Sequence, residues 1–163
     1  MMYVRSAVES SDARLGYLPG SAEDKLKFYN LPFIDKLEEL LSEQRVDKLE
    51  KEGRISMFPV NFARGMNWTN KCIIFDEVQN SSAKEITTVL TRMGKHSRCF
   101  ILADPMQSDL RSHECAFKDM FDLFGDEESN EMGIRTFEFT EEDIMRSELV
   151  KFLIKKLKQL KKD

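Results

Sequence analysis

Two adjacent carboxylates, Asp76 and Glu77, close the apolar run KCIIFDE, and Gln79 follows two residues later. An aspartate at the tip of a buried strand is a hard oxygen ligand on a rigid element. Mg2+ carrying a nucleotide takes such ligands, often through water. A neighbouring glutamate can orient or deprotonate an attacking water. The plainer reading is a strand end capped by two solvated acids. A second run, RCFILADPMQSD, ends in Asp104 and places Gln107 in the loop that follows. There a neutral amide could touch a terminal phosphate oxygen, or the segment could be an ordinary Asp-Pro turn. Two acid-tipped runs, each followed by a glutamine, weigh toward phosphate chemistry more than either does alone.

The elements that must hold these residues can be read from periodicity. MYVRSAV is a short strand, and LGYLPGSAED is a turn punctuated by Gly16, Pro19 and Gly20. From the Ser21 and Asp24 cap to about Glu52 the pattern is helical. Ile34, Leu37 and Leu41 share one face, Val46 and Leu49 continue a second segment, and Gly53 stops it. RISMFPV is extended, and NFARGMNWTN is a loop around Arg64 and Gly65. The run KCIIFD is continuous enough for a parallel strand covered on both faces. SSAKEITTVLTRMG is a helix, with a capping box between Ser82 and Glu85, a stripe of Ile86, Val89, Leu90 and Met93, and Gly94 as its stop. RCFILAD is a second buried strand, HECAFKDMFDLFG a helix, DEESNEMG an acidic loop and IRTFEFT a strand with one wetter face. The last element, over 148–163, is a basic helix with Leu149, Leu153, Leu157 and Leu160 on its apolar side. Strands alternating with helices predict an α/β fold with a mostly parallel sheet and flanking helices, in one domain over 1–163. Ligands of such sheets sit beyond the carboxyl ends of the strands, where both acid pairs fall.

Bulk properties narrow the class. A chain of 163 residues is about one domain. Its net charge of −4 gives no general attraction to nucleic acid or anionic membrane, so a basic surface must be local. No apolar run approaches the roughly 20 residues of a membrane span, and no signal peptide core opens the chain. Three cysteines, Cys72, Cys99 and Cys115, at wide spacing fit neither a disulfide framework nor a zinc site. Cys72 and Cys99 read as small core residues in a reducing cytoplasm. His96 and His113 read as solvated loop residues. Lys155, Lys156, Lys158, Lys161 and Lys162 crowd the last helix, where cations suit the helix C-terminus; a phosphate-contacting patch for RNA or DNA is the alternative.

Five ordered blocks resemble one family. VRSAVESSDARLGYLPGSAEDKL, PVNFARGMNW, IIFDEVQNSSAKEITTVLTRMG, LADPMQSDL and FEFTEEDIMRSELV are similar to segments of PhoH-like proteins, the phosphate-starvation-inducible P-loop ATPases. The resemblance runs from about Val4 to Phe152, and IIFDE matches the Walker B strand. It implies the C-terminal portion of a RecA-like P-loop NTPase core, related to superfamily-one helicases and using ATP and Mg2+. By that resemblance Asp76 would hold Mg2+, Glu77 would position or activate the hydrolytic water, and Gln79 and Gln107 would sense the terminal phosphate. Asp104 would support the loop. Arg5, Arg64 and Arg146 would lie near the nucleotide or a subunit boundary, one of them able to serve a neighbouring site in trans. A homo-hexameric ring is implied in the same way.

Two departures stand out. None of the seven glycines opens a G-x-x-x-x-G-K-[ST] loop, and Ala103 replaces the glycine usual in the family. The phosphate cradle needs backbone N–H groups at a helix N-terminus and a lysine. Losing several charge-assisted hydrogen bonds, each worth ~1.5–3 kcal/mol, would weaken triphosphate binding by orders of magnitude. The expectation is therefore an incomplete core, open at one sheet edge. A separate Walker A-bearing polypeptide, as a split phage gene would produce, would dock there. The competing expectation is a non-catalytic nucleic-acid-binding or assembly module.

Overall fold

The computed structural model describes residues 1–6, 22–108 and 116–157, with backbone alone for 22–29 and 141. The expected turn through Gly16, Pro19 and Gly20, the Ser21 cap, His113, Cys115, Leu160, Lys158, Lys161 and Lys162 lie outside the described residues. The chain divides into two compact units, Met1–Asp122 and Leu123–Asp163.

In the first unit four parallel strands, β1 (Met2–Arg5), β2 (Ser56–Pro59), β3 (Cys72–Asp76) and β4 (Arg98–Ile101), lie in the order β2-β1-β3-β4. This is the α/β class read from the alternation of elements. Side chains alternate between the two faces of a strand, and the alternation decides what each residue meets. Met2 and Val4 of β1 and Ile73 and Phe75 of β3 enter one core with Val60, Trp68, Val78, Ile86, Val89 and Phe117. Tyr3 faces the other way, its ring stacked on Phe33 of α1 (Ala22–Leu41) at 4.1 Å between centroids. On that side Leu37, Val46 and Ile55 form a second cluster, to which α2 (Glu43–Lys51) contributes Val46. The break between α1 and α2 falls at Ser42, whose φ of 74 no helix accommodates. Gly53, at φ 66, takes the left-handed conformation that ends α2.

α3 (Ala83–Leu90) begins with the expected capping box: Ser82 Oγ accepts from the Glu85 N–H, and the Glu85 carboxylate accepts from the Ser82 N–H. Its apolar stripe, Ile86 and Val89, is buried. Gly94 does not stop this helix, which ends at Leu90. Its role is close approach, since an added Cβ would sit 2.9 Å from the Trp68 carbonyl oxygen and 2.6 Å from Thr69 Oγ1. The Gly94 N–H donates to Trp68 O, the Trp68 N–H donates to Arg92 O and Ser97 Oγ donates to Trp68 O. The loop containing Arg64 and Gly65 is thereby stitched to the end of α3.

Several expectations fail for want of a neighbour. β3 is covered fully on one face only: Ile73 and Phe75 are wholly buried, Ile74 and Asp76 half-buried, and Cys72 exposed. β4 is one edge of the sheet and β2 the other. β4 ends at Ile101, so Asp104 follows a short extended linker rather than the strand itself, and Phe100 and Leu102 are exposed. Cys99 is half-buried, and burial pushes its thiol up to about 12. Residues 134–140 form no strand: they alternate, but no described strand lies beside them to complete a ladder. α4 (Phe117–Leu123) forms within the expected helix, and DEESNEMG contains α5 (Glu127–Glu131), capped by Asp126, whose side chain accepts from the Ser129 N–H. Hydrogen bonds from the Ser129 side chain and, second, its N–H hold the Asp126 carboxyl below its ordinary range. α6 (Glu148–Leu157) follows, with Leu149, Leu153 and Leu157 exposed. Among the described residues no helix is long and apolar enough to cross a membrane.

Candidate functional site at the strand tips

The carboxyl ends of β1 and β3 and the loop after β4 bring six of the eight candidate residues to one sheet edge. β1 and β3 pair in parallel with Arg5 opposite Asp76. Tyr3, two residues back on the same face, reaches forward, and its hydroxyl donates to Asp76 Oδ2 at 2.6 Å. Asp76 Oδ1 accepts from the Glu77 N–H at 2.9 Å. Both oxygens are thus oriented by short bonds, and each keeps a lone pair for a further donor.

Glu77 lies in the left-handed region at φ 55 and ψ 37. A non-glycine residue there is strained by on the order of 1–3 kcal/mol and persists only where its surroundings enforce it. Two neighbours hold its carboxylate. Gln79 Nε2 donates to Oε2 at 2.6 Å, and the Arg5 guanidinium meets Oε1 at 3.4 Å. The Arg5 pair is partly solvated and contributes little by itself.

Gln79 is the pivot. Only 1% of it is exposed, so its amide must be satisfied within the protein. One end donates to Glu77, and the other, Oε1, accepts from the Asp104 N–H at 3.1 Å. Ser108 Oγ donates to the Gln79 carbonyl at 3.0 Å, and the Val78 N–H donates to Leu102 O. The sensing role that the resemblance implies for Gln79 therefore meets an amide turned inward, bracing one strand tip against the next. Asp104 caps a short 3-10 turn, accepting from the Met106 N–H at 2.9 Å, while Gln107 Nε2 donates to Asp104 Oδ2 at 2.8 Å. A chain of hydrogen bonds runs from Gln107 through Asp104 and Gln79 to Glu77, with Arg5 at its far end. Ala103, half-buried, packs against the main core.

The other two arginines are not joined to this chain. Arg64 is exposed on the far side of the loop stitched to α3, lining a groove that includes none of these residues. Arg146 belongs to the second unit, exposed in the bend before α6. Tyr3, Ser6 and Ser108 are contributors that motif reading missed. Ser6 Oγ donates to the Asn80 carbonyl at 2.8 Å. Only knowing that β1 and β4 flank β3 reveals them.

A sequence profile of the family described as PhoH-like protein matches residues 1–158. The chain belongs to this family. A PhoH-like protein of Mycobacterium tuberculosis is 31% identical over 158 residues, covering 94% of this chain and 43% of the relative. A PhoH-like protein of Bacillus subtilis is 31% identical over 94% of this chain and 47% of its own length. Protein PhoH of Escherichia coli is 32% identical over 90% of this chain and 41% of its own. This PhoH-like chain thus spans less than half the length of these curated relatives. The family is P-loop ATPase-like, which implies nucleotide and Mg2+. The donor set fits part of that requirement. Asp76 offers an oriented carboxylate at a strand tip, and Glu77 stands beside it. Among the described residues no group of three or more His, Cys, Asp and Glu gathers to hold a metal unaided, so a cation there would draw its other ligands from phosphate and water. The cradle half does not fit, because these residues contain no G-x-x-x-x-G-K-[ST].

Proposed function

We propose that this PhoH-like chain supplies the carboxylate side of an ATP-hydrolysing site. In this reading Asp76 binds Mg2+ through water, Glu77 orients and deprotonates the attacking water, and Gln107 meets the terminal phosphate from the loop fixed by Asp104. Arg5 and Gln79 hold Glu77 in place. The phosphate cradle comes from a Walker A-bearing segment outside these residues, and the site works in a cytoplasmic setting. The observation that carries this reading is the unbroken hydrogen-bonded chain from Gln107 to Glu77, which gathers an acid, a base candidate and a neutral amide at the edge where parallel sheets bind ligands.

The test mixes this chain with a separately produced Walker A-bearing segment of a PhoH-like relative and follows phosphate release. Mg2+-dependent turnover is expected in the mixture, and Glu77→Gln should lower it by at least about 100-fold, the scale of a lost general base. Full turnover by the Glu77→Gln variant would remove the catalytic role. Turnover by the chain alone, with no gain on mixing, would remove the need for that segment. ATP binding without turnover would favour a non-catalytic assembly module, a reading supported by the fact that Gln79 and Arg5 already engage both Glu77 oxygens.

A further inference from the structure

No motif singles out Tyr3, yet it is only 2% exposed and its hydroxyl donates to Asp76 Oδ2 at 2.6 Å. A hydrogen bond to an ionised carboxylate is roughly twice as strong as a neutral one. The ring that carries the hydroxyl is held in turn. It lies flat on Phe33 of α1, with centroids 4.1 Å apart and planes 8° from parallel. Phe33 packs against the cluster of Leu37, Val46 and Ile55. Parallel register sets Tyr3 beside Ile74 and Arg5 beside Asp76, so these side chains share one face of the sheet and the phenol extends along it to the strand tip. A phenylalanine would fill the same space without a buried O–H that has to find an acceptor. The acceptor here is the carboxylate at the tip of β3. The contact also reaches past Asp76. The Glu77 N–H donates to Oδ1 at 2.9 Å, so each Asp76 oxygen holds a donor and the carboxylate plane is fixed from both ends. Tyr3 thereby does for Asp76 what Gln79 does for Glu77.

We propose that Tyr3 is a positioning residue for cation binding: braced by Phe33, it presets the Asp76 carboxylate for the Mg2+ of a bound nucleotide. It takes that role only within the ATP-hydrolysis reading, which gives Asp76 its cation. The plainer alternative is a buried phenol that Asp76 merely satisfies. Two considerations favour positioning. A carboxylate free to rotate gives up that freedom when it meets a hydrated ion, and one already held does not. Outer-shell groups that hydrogen-bond a ligating carboxylate are typically worth about 10–100-fold in metal affinity. The hold does not close the site. Asp76 is half-buried, and each of its oxygens keeps a lone pair for a water of the ion's shell.

Equilibrium binding of a fluorescent, non-hydrolysable ATP analogue tests it, in the mixture of this chain with the Walker A-bearing segment. The quantity read is the ratio of the analogue's Kd without Mg2+ to its Kd with Mg2+. A fault in folding or docking shifts both values alike and leaves the ratio, whereas a misaimed Asp76 lowers it. Tyr3→Phe removes only the hydroxyl and keeps the ring on Phe33, so its melting temperature should hold. The ratio should fall about tenfold. Phe33→Leu keeps the hydroxyl but frees the ring, and should give a smaller fall; it also tests the role if Tyr3→Phe does not fold. Asp76→Asn sets the floor. A ratio that Tyr3→Phe leaves unchanged or raises, while Asp76→Asn collapses it, overturns the role of Tyr3 and leaves the ATP-hydrolysis reading standing. A ratio that Phe33→Leu leaves unchanged overturns the bracing. No Mg2+ effect in the unaltered mixture, or one that Asp76→Asn leaves untouched, takes the cation from Asp76 and overturns both readings.

Discussion

Phe75 and Phe139 are the same residue type in runs that both read as strands, yet one is 0% and the other 85% exposed. In the sheet unit, IIFD lies between β1 and β4, and α3 closes one face over Ile73 and Phe75. In the second unit, IRTFEFT alternates and has no strand beside it among the described residues, so Phe137 and Phe139 stay in solvent. Period makes a segment amphipathic. A neighbour turns amphipathicity into burial, and burial then makes polar contacts selective. The strand-tip hydrogen bonds exist because the core beneath them leaves Gln79 no water to pair with.

The contrast can be broken most severely at Phe75. Truncation to Ala should destabilise the sheet unit by about 3–5 kcal/mol in urea melts, whereas Phe139→Ala should stay within about 0.5 kcal/mol. Equal effects would mean that the two runs share an environment after all. A middle-sized effect belongs to Gln79. Gln79→Ala removes a buried side chain that accepts from the part-buried Asp104 N–H and should cost about 1–3 kcal/mol, with the 104–107 loop losing amide-exchange protection. Unchanged protection would remove the bracing role. The smallest effect sharpens the comparison within the sheet. The Cys99 thiol is raised by burial from its ordinary 9.0 to about 12, so the folded state prefers the neutral form. The resulting stability is whole below about pH 9 and is lost as pH climbs toward 12. Cys99→Ala should flatten that alkaline decline in melting temperature. An unchanged decline would assign it to other groups.

Legibility followed the range of the interaction. The Ser82 and Glu85 box spans three residues, and its partners are covalent near-neighbours, so local pattern was sufficient. The same holds for the acids at 76 and 104, whose place after apolar runs put them at one sheet edge once the strands were taken as parallel. The bond from Tyr3 to Asp76 and the one from Gln79 to Asp104 span 73 and 25 residues, and no local pattern encodes them. Arg64 shows the same limit from the other side. The resemblance places it near the nucleotide or a subunit boundary; the loop that carries it is tied to α3 through Trp68 and Gly94, and it lines a surface apart from the strand tips.

By itself, then, the chain's order of residue types determined that the class is α/β, that the Ser82 and Glu85 box opens a helix, and that Asp76 closes a strand. Periodicity and capping act within a few residues, which is why they can be read directly. Tertiary structure alone decided that β4 is an exposed edge, that residues 134–140 find no ladder, and that Gln79 turns inward. Each of these depends on which distant segment arrives as a neighbour. That is settled by the free energy of packing the whole chain, not by any stretch of it.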